Sequence, residues 1–213
     1  MRLFVGLDLP AYIRSDLTSI CAGVHGARWV APESYHITLR FLGEVDRHTA
    51  ADLDGLLADI QAPAFDIALH GIGSFGSRGR LRALWAGVEP SGALNHLHDK
   101  VARACMRAGF PAEDRKFKPH VTLARFKGVP EMAAASFADH NAGFATRPFT
   151  VARFVLFESL LGGEGAHYIP MRTYPLVGFD YDFDGMEDLD DEYADDEADD
   201  VPEFRYRSVI GSR

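Results

Sequence analysis

The stretch His36-Ile37-Thr38-Leu39 decides how the rest of the chain is interpreted, because it returns as His120-Val121-Thr122-Leu123. Nine His and seven Thr among 213 residues give a chance expectation of roughly 0.3 His-x-Thr pairs. The sequence contains two such pairs, and both continue into Leu. The repeat therefore predicts two equivalent positions in the fold.

Each copy has the alternation that is typical of a β-strand. In a strand, residues i and i+2 point to the same face. The side chains of His36 and Thr38 therefore lie on one face, and the side chain of Ile37 lies on the other. The apolar face suits a core and the polar face suits a site. We therefore expect the two motif strands to present their His and Thr to one groove.

Composition and charge divide the chain near residue 179. Residues 180–213 hold 14 Asp or Glu and three Arg, whereas residues 1–179 hold 17 acids and 19 bases and are mildly basic. The acidic stretch has too few apolar residues to offset the entropy of ordering. We predict a globular domain over 1–179 and a disordered acidic tail over 180–213.

The remaining patterns predict a soluble cytoplasmic α+β protein. No apolar run approaches membrane-spanning length, and the two cysteines show no metal-ligand spacing and are expected to be free thiols. Apolar stripes predict helices after Pro10, after an N-cap at Asp46, and from Ser91 to Ala108. The Gly-rich basic stretch 71–80 is expected to be a flexible loop.

Strands and helices alternate so that strand, helix and motif strand occur once in each half of the chain. The expected architecture has two similar lobes, each a mainly antiparallel sheet backed by helices, with a central groove that carries both HxTL motifs. The pairing of the strands does not follow from the sequence.

Two histidines at one groove suit the hydrolysis of a phosphodiester. A neutral imidazole accepts a proton from water while a protonated imidazole donates one to the leaving oxygen, so the two rings must flank the phosphorus. The hydroxyls of Thr38 and Thr122 suit the growing charge on the phosphoryl oxygens. A single HxT pair is more often a structural feature of a strand than part of a catalytic site. A metal site is disfavoured because neither motif strand has HxH or HExxH spacing.

The sequence resembles the two-histidine phosphoesterases, and among them the bacterial RNA 2′,3′-cyclic phosphodiesterases, also called 2′-5′ RNA ligases. The resemblance covers residues 1–177. It rests on five stretches besides the bare motif pair: residues 2–10 (RLFVGLDLP), 36–44 (HITLRFLGE), 84–88 (LWAGV), 118–125 (KPHVTLAR) and 156–159 (LFES).

The resemblance implies metal-free hydrolysis of a terminal RNA 2′,3′-cyclic phosphate to a 2′-phosphomonoester, without a cofactor. It also implies that His36 is the proton donor to the leaving 3′-oxygen and that His120 is the proton acceptor that activates water. The substrates would be RNA ends or cyclic nucleotides, and we expect a monomer with no membrane partner.

Further residues are candidates for substrate binding besides the two threonines. The family pattern implies a phosphate contact by Arg125, but strict alternation places Arg125 on the face opposite His120, whereas Arg40 shares the face of His36. Phe4 and Tyr168 are candidates for stacking on a nucleobase, although aromatic residues in strands are more often part of a core.

Two alternatives stay open at this stage. The chain could act mainly as a 2′-5′ RNA ligase, which runs the same chemistry backward. It could also be an RNA-end-binding module without turnover, although a binder has no need of an acid and a base on both sides of the phosphorus.

Overall fold

The computed structural model describes residues 1–127, 129–162 and 165–177, and these residues belong to one unit of the chain. The acidic stretch 180–213, for which we predicted disorder, lies outside the described residues. The helices are α1 (Ala11–Ile20), α2 (Arg47–Ala58), α3 (Gly92–Arg107) and α4 (Ala135–His140). Two short 3-10 turns cover Pro32–Ser34 and Glu131–Ala134.

Most of the strands form one antiparallel sheet. They are β1 (Arg2–Asp8), β2 (Arg28–Trp29), β3 (His36–Glu44), β4 (Phe65–Ile67), β5 (Leu69–Ser77), β6 (Arg80–Val88), β7 (His120–Arg125), β8 (Phe149–Val151), β9 (Arg153–Gly162) and β10 (Gly165–Pro175). Within the described ranges, eight of them pair in the order β10-β9-β1-β3-β7-β6-β5, with β2 added on β7, and β4 pairs separately with β8.

The two motif strands meet at the centre of this sheet. β3 and β7 are joined by the antiparallel pair Ile37↔Val121, whose side chains are both fully buried. On either side of this junction, β3 pairs with β1 and β7 pairs with β6 over many residues. The mixed α/β class with a large antiparallel sheet is confirmed, while the division into two similar lobes stays a prediction.

The core lies between one face of the sheet and the helices. Leu17 of α1, Leu53 of α2 and Leu97 of α3 are fully buried in one cluster with Ile37 and Val121 of the motif strands. Each such side chain contributes about 1.5–3 kcal/mol through the apolar surface that it removes from water. Because this face of the sheet is filled, the opposite face carries the histidines.

Local signals explain where the helices begin. The carboxylate of Asp46 accepts hydrogen bonds from the backbone N–H groups of His48 and Thr49, which confirms it as the N-cap of α2. The hydroxyl of Ser91 accepts from Leu94 at the start of α3. Both cysteines, Cys21 and Cys105, are free thiols, as expected.

The expectation of a flexible loop over residues 71–80 is wrong. These residues form most of β5 and the hairpin turn into β6, where Ser77 pairs with Arg80. The turn residues Arg78 and Gly79 have φ of 53° and 71°, as a type I′ hairpin requires. No helix within the described residues has the length and apolar character needed to cross a bilayer.

Candidate active site

The two motif histidines lie on the same face of the sheet, one on each side of the Ile37–Val121 pair along the strand axis. His36 directly precedes Ile37 and His120 directly precedes Val121, and these two apolar residues face each other in antiparallel strands. Antiparallel strands run in opposite directions, so the two imidazoles flank the junction along the strand axis, with Thr122 beside His36 and Thr38 beside His120. One phosphate-sized group at the junction would therefore have an imidazole at each end.

Both rings are held in the same way. The Nδ1 atom of His36 lies 2.8 Å from the carbonyl oxygen of Ser34, and Nδ1 of His120 lies 2.7 Å from that of Lys118. A carbonyl oxygen only accepts, so each Nδ1 is the protonated donor. In the neutral ring, this bond leaves Nε2 with its lone pair for chemistry.

The environment favours the neutral form of both imidazoles. Burial lowers the pKa of His36 to about 4, with smaller contributions from the positive charge of Arg125 and from His120. Burial also lowers the pKa of His120, and the charges of Lys118 and Arg125 add to that effect. Arg125 therefore acts on both rings, whereas Lys118 acts on His120.

A β-bulge places Arg125 on the same face as His120. The register between β6 and β7 shifts by one residue, and Leu123 and Ala124 are both fully buried in succession. This extra residue resets the alternation, so the exposed Arg125 rejoins the face of His120 and Thr122. The expectation that Arg125 points to the opposite face is wrong for this reason.

The matching bulge in β3 has the opposite effect on Arg40. The β1–β3 register shifts opposite Leu39, and Leu39 and Arg40 are both buried. The guanidinium of Arg40 donates to the carbonyl oxygen of Pro111 and lies 3.3 Å from the carboxylate of Glu113. The structure thus contradicts the expectation that Arg40 shares the face of His36, and it leaves Arg40 away from the histidines.

The predicted aromatic candidates surround His36. The ring centroids of Phe4 and Tyr168 lie 4.7 and 4.8 Å from the imidazole, and Phe157 stacks on Phe4 at 4.9 Å. These aromatic residues supply the burial that lowers the pKa of His36. The hydroxyls of Thr38 and Thr122 have no hydrogen-bond partner among the described residues, so both are available to a ligand.

No set of three or more His, Cys, Asp or Glu side chains within the described ranges is arranged to hold a metal ion.

Comparisons with known proteins identify the family of this chain. A family model described as the 2′-5′ RNA ligase superfamily matches residues 14–163. The chain belongs to this superfamily.

Relatives within the superfamily resemble most of this chain. The RNA 2′,3′-cyclic phosphodiesterase of Archaeoglobus fulgidus is 34% identical and covers 82% of this chain and 99% of its own length. The protein of the same name from Geobacillus stearothermophilus is 37% identical over 70% of this chain and 48% of its own length. The crystal structure of E. coli LigT complexed with 3′-AMP matches with a TM-score of 0.68 at 29% identity, and covers 83% of this chain and 98% of that one.

Sequence reasoning missed part of the site of this superfamily member. Phe75 and Trp85 approach His120 with ring centroids at 4.9 and 6.0 Å. The contacts of Phe75 and Trp85 with His120 depend on the pairing of β5, β6 and β7, which the sequence pattern of one strand does not contain.

Proposed function

We propose that this chain hydrolyses the 2′,3′-cyclic phosphate at an RNA end to a 2′-phosphomonoester, with His36 as the general acid and His120 as the general base. One observation carries the proposal. Each imidazole has its Nδ1–H bound to a backbone carbonyl and its Nε2 without a partner among the described residues, and the two rings lie on one face of the sheet on either side of the Ile37–Val121 pair. The names of the superfamily relatives support the same reaction.

The reaction follows from these positions. Nε2 of neutral His120 accepts a proton from water, and the water oxygen bonds to phosphorus. The bond between phosphorus and the 3′-oxygen breaks, and that oxygen receives a proton from Nε2 of protonated His36. The 2′-oxygen keeps the phosphate. His36 ends neutral and His120 ends protonated, so a proton exchange with water restores the starting state.

The lowered pKa of His36 fits a general acid whose imidazole becomes protonated when the substrate binds. At neutral pH the free chain holds His36 mostly neutral. The anionic cyclic phosphate favours the protonated ring, because a nearby negative charge raises the pKa of an imidazole. Proton uptake is then coupled to substrate binding.

Three side chains on the face of the two rings suit the charge that develops on the phosphoryl oxygens. Thr38 and Thr122 offer hydroxyl donors, and Arg125 offers a planar donor fork on the same face. We therefore propose Thr38, Thr122 and Arg125 as phosphate ligands, and Phe4 and Tyr168 as the wall for the base of the terminal nucleotide. Arg40 is left out, since its guanidinium is paired with Glu113.

Several broader predictions belong to the same proposal. Residues 1–179 would form the catalytic domain, with 180–213 as an acidic extension. The enzyme would act as a monomer in the cytoplasm, with neither metal nor cofactor. A 2′-5′ RNA ligase would use an RNA 5′-hydroxyl in place of water at the same groups, and a non-catalytic binder would leave the paired histidines without a role.

The test is hydrolysis of a dinucleotide with a 2′,3′-cyclic end in excess EDTA. We expect turnover by the unaltered chain and a loss of about 10²–10⁴-fold in kcat/KM in His36→Ala and in His120→Ala. The exposed His25 lies outside both motifs, so His25→Ala serves as the control and keeps full activity. Turnover that survives in both motif variants would contradict the mechanism, and binding without any turnover would favour the binding module.

A further inference from the structure

Two arginines lie directly opposite each other in neighbouring strands. β2 pairs with β7 through Arg28↔Arg125 and Trp29↔Ala124. Ala124 is fully buried, and Trp29 packs against the same cluster. Arg28 and Arg125 therefore lie on the opposite face of the sheet. The bulge in β7 puts Arg125 on the face of His120, so Arg28 lies on that face as well.

The two opposed charges have no carboxylate partner among the described residues, and both side chains are exposed. Like charges at directly opposed positions of an antiparallel pair destabilise a sheet. A phosphate between two guanidinium groups reverses that effect through charge-assisted hydrogen bonds. Arg125 is a proposed ligand of the reacting phosphate, whereas Arg28 has no part in the proposed hydrolysis. The pair is therefore a candidate binding site for a further anion.

Strand pairing places this arginine pair beyond His36. β6 holds one edge of β7, and β2 and β3 share the other edge. β3 meets this edge at Val121 and β2 meets it at Arg125, so Arg28 lies ahead of His36 along the edge. The bulge leaves about two strand steps, or about 7 Å along the axis, between Thr122 and Arg125. The pair thus lies on the side of the leaving oxygen, away from His120.

The ribose of an RNA end directs its next phosphate to this same side. In the proposed hydrolysis the 3′-oxygen points at His36. The 3′-carbon is bonded to the 4′-carbon, and the 4′-carbon carries the 5′-carbon with its phosphodiester. The base is attached to the 1′-carbon, next to the 2′-oxygen that keeps the phosphate. The bonds from the leaving oxygen to the next phosphate therefore lead past His36 toward Arg28.

We propose that Arg28, beside Arg125, forms a subsite for the phosphodiester that joins the terminal nucleotide to the rest of the RNA. We call it the upstream-phosphate subsite. This inference rests on the proposed function, because it takes the 3′-oxygen to lie at His36. Arg28 determines specificity: its planar donor fork binds the oxygens of that phosphodiester and takes no part in the proton transfers. The chain therefore favours an RNA end over a cyclic mononucleotide.

Two substrates that differ by one charge test the upstream-phosphate subsite. One is an adenosine dinucleotide with a 2′,3′-cyclic end, and the other has a neutral methylphosphonate in place of its internal phosphodiester. The readout is the charge preference, which is the ratio of kcat/KM for the first substrate to kcat/KM for the second. Both substrates carry the same bases and the same reacting phosphate, so a general effect on either histidine cancels in the ratio.

The unaltered chain is expected to show a charge preference of about fivefold, which corresponds to one exposed ion pair. The preference should fall as salt is added, because salt screens an exposed contact between an arginine and a phosphate. Hydrolysis of both dinucleotides with equal kcat/KM overturns the upstream-phosphate subsite and keeps the proposed function.

Variants assign the charge preference to Arg28. We expect Arg28→Gln to abolish the preference and Arg28→Lys to keep most of it, because an ammonium also binds a phosphate. Arg103→Gln is the matched control: it removes the same charge from an exposed position of α3, which packs on the core face of the sheet, and it keeps the full preference. An unchanged preference in Arg28→Gln overturns the subsite, and so does an equal loss of kcat/KM for both dinucleotides.

A failure of the proposed function gives a different result. If the chain turns over neither dinucleotide, the proposed function fails, and calorimetric titration with the same two dinucleotides decides the subsite. Tighter binding of the charged dinucleotide to the unaltered chain than to Arg28→Gln supports the subsite, with equal binding of the methylphosphonate to both. Equal binding of the charged dinucleotide to the two chains overturns it.

Discussion

Gly73→Ala should displace the Trp85 ring that forms one wall beside His120. The new methyl group would lie 2.2 Å from the indole, whereas ordinary contact begins near 3.4 Å, so ring and sheet must separate by about 1.2 Å. Overpacking of this kind costs about 1–3 kcal/mol of unfolding free energy. A displacement of about 1 Å near the reacting groups can lower the rate up to about 10²-fold.

Urea unfolding and kcat/KM for a cyclic dinucleotide measure the two effects. The matched control is Gly92→Ala, because a Cβ at Gly92 would meet no atom within 4 Å. Gly92 lies at the start of α3, where alanine is expected to be neutral or to stabilise by about 0.4–1 kcal/mol. Wild-type stability and activity in Gly73→Ala would refute the packing of Trp85 on Gly73.

Three other substitutions test separate parts of the account. Arg125→Gln removes a positive charge that lowers the pKa of both histidines; both limbs of the pH profile of kcat/KM should move to higher pH, with a lower maximum. Arg40→Met breaks the pair with the 39%-exposed Glu113 and should lower the unfolding free energy by about 1–3 kcal/mol in urea. Gly6→Ala places Cβ 2.9 Å from the backbone oxygen of Ile37 and should lower stability and activity together.

The direction of the pH shift follows from the two pKa values. Each limb of the kcat/KM profile reports one of the two histidine pKa values in the free chain. Because Arg125 lowers both pKa values, its removal moves both limbs to higher pH. An unchanged profile in Arg125→Gln would contradict the placement of Arg125. Wild-type stability in Arg40→Met, or full activity in Gly6→Ala, would contradict the corresponding contact.

The sequence was sufficient to predict the strands and helices whose signals come from residues close together in the chain. The HxTL repeat, the N-cap at Asp46 and the stripe of α3 each depend on residues a few positions apart, and the structure has strands and helices there. Strict alternation predicted the wrong face of the sheet for Arg40 and Arg125 because β3 and β7 each contain a bulge. A bulge depends on the register with the neighbouring strand, which the pattern of a single strand does not contain.

The same reason explains the missed residues around His120. Phe75, Trp85 and His120 come from three strands, and their contacts exist only through the pairing of β5, β6 and β7. The Gly-rich composition of residues 71–80 favoured a loop, yet Gly73 is needed for Trp85 to lie flat on the sheet. Local propensity was overridden there by packing across strands.

The position of the phosphate in the product tests the central claim most directly. A dinucleotide with a 2′,3′-cyclic end is incubated with the chain in excess EDTA, and the product is compared with authentic 2′- and 3′-phosphates by chromatography and phosphorus NMR. If His36 protonates the 3′-oxygen while His120 activates water, the product carries only a 2′-phosphate. A 3′-phosphate would contradict the assignment of the leaving oxygen to His36.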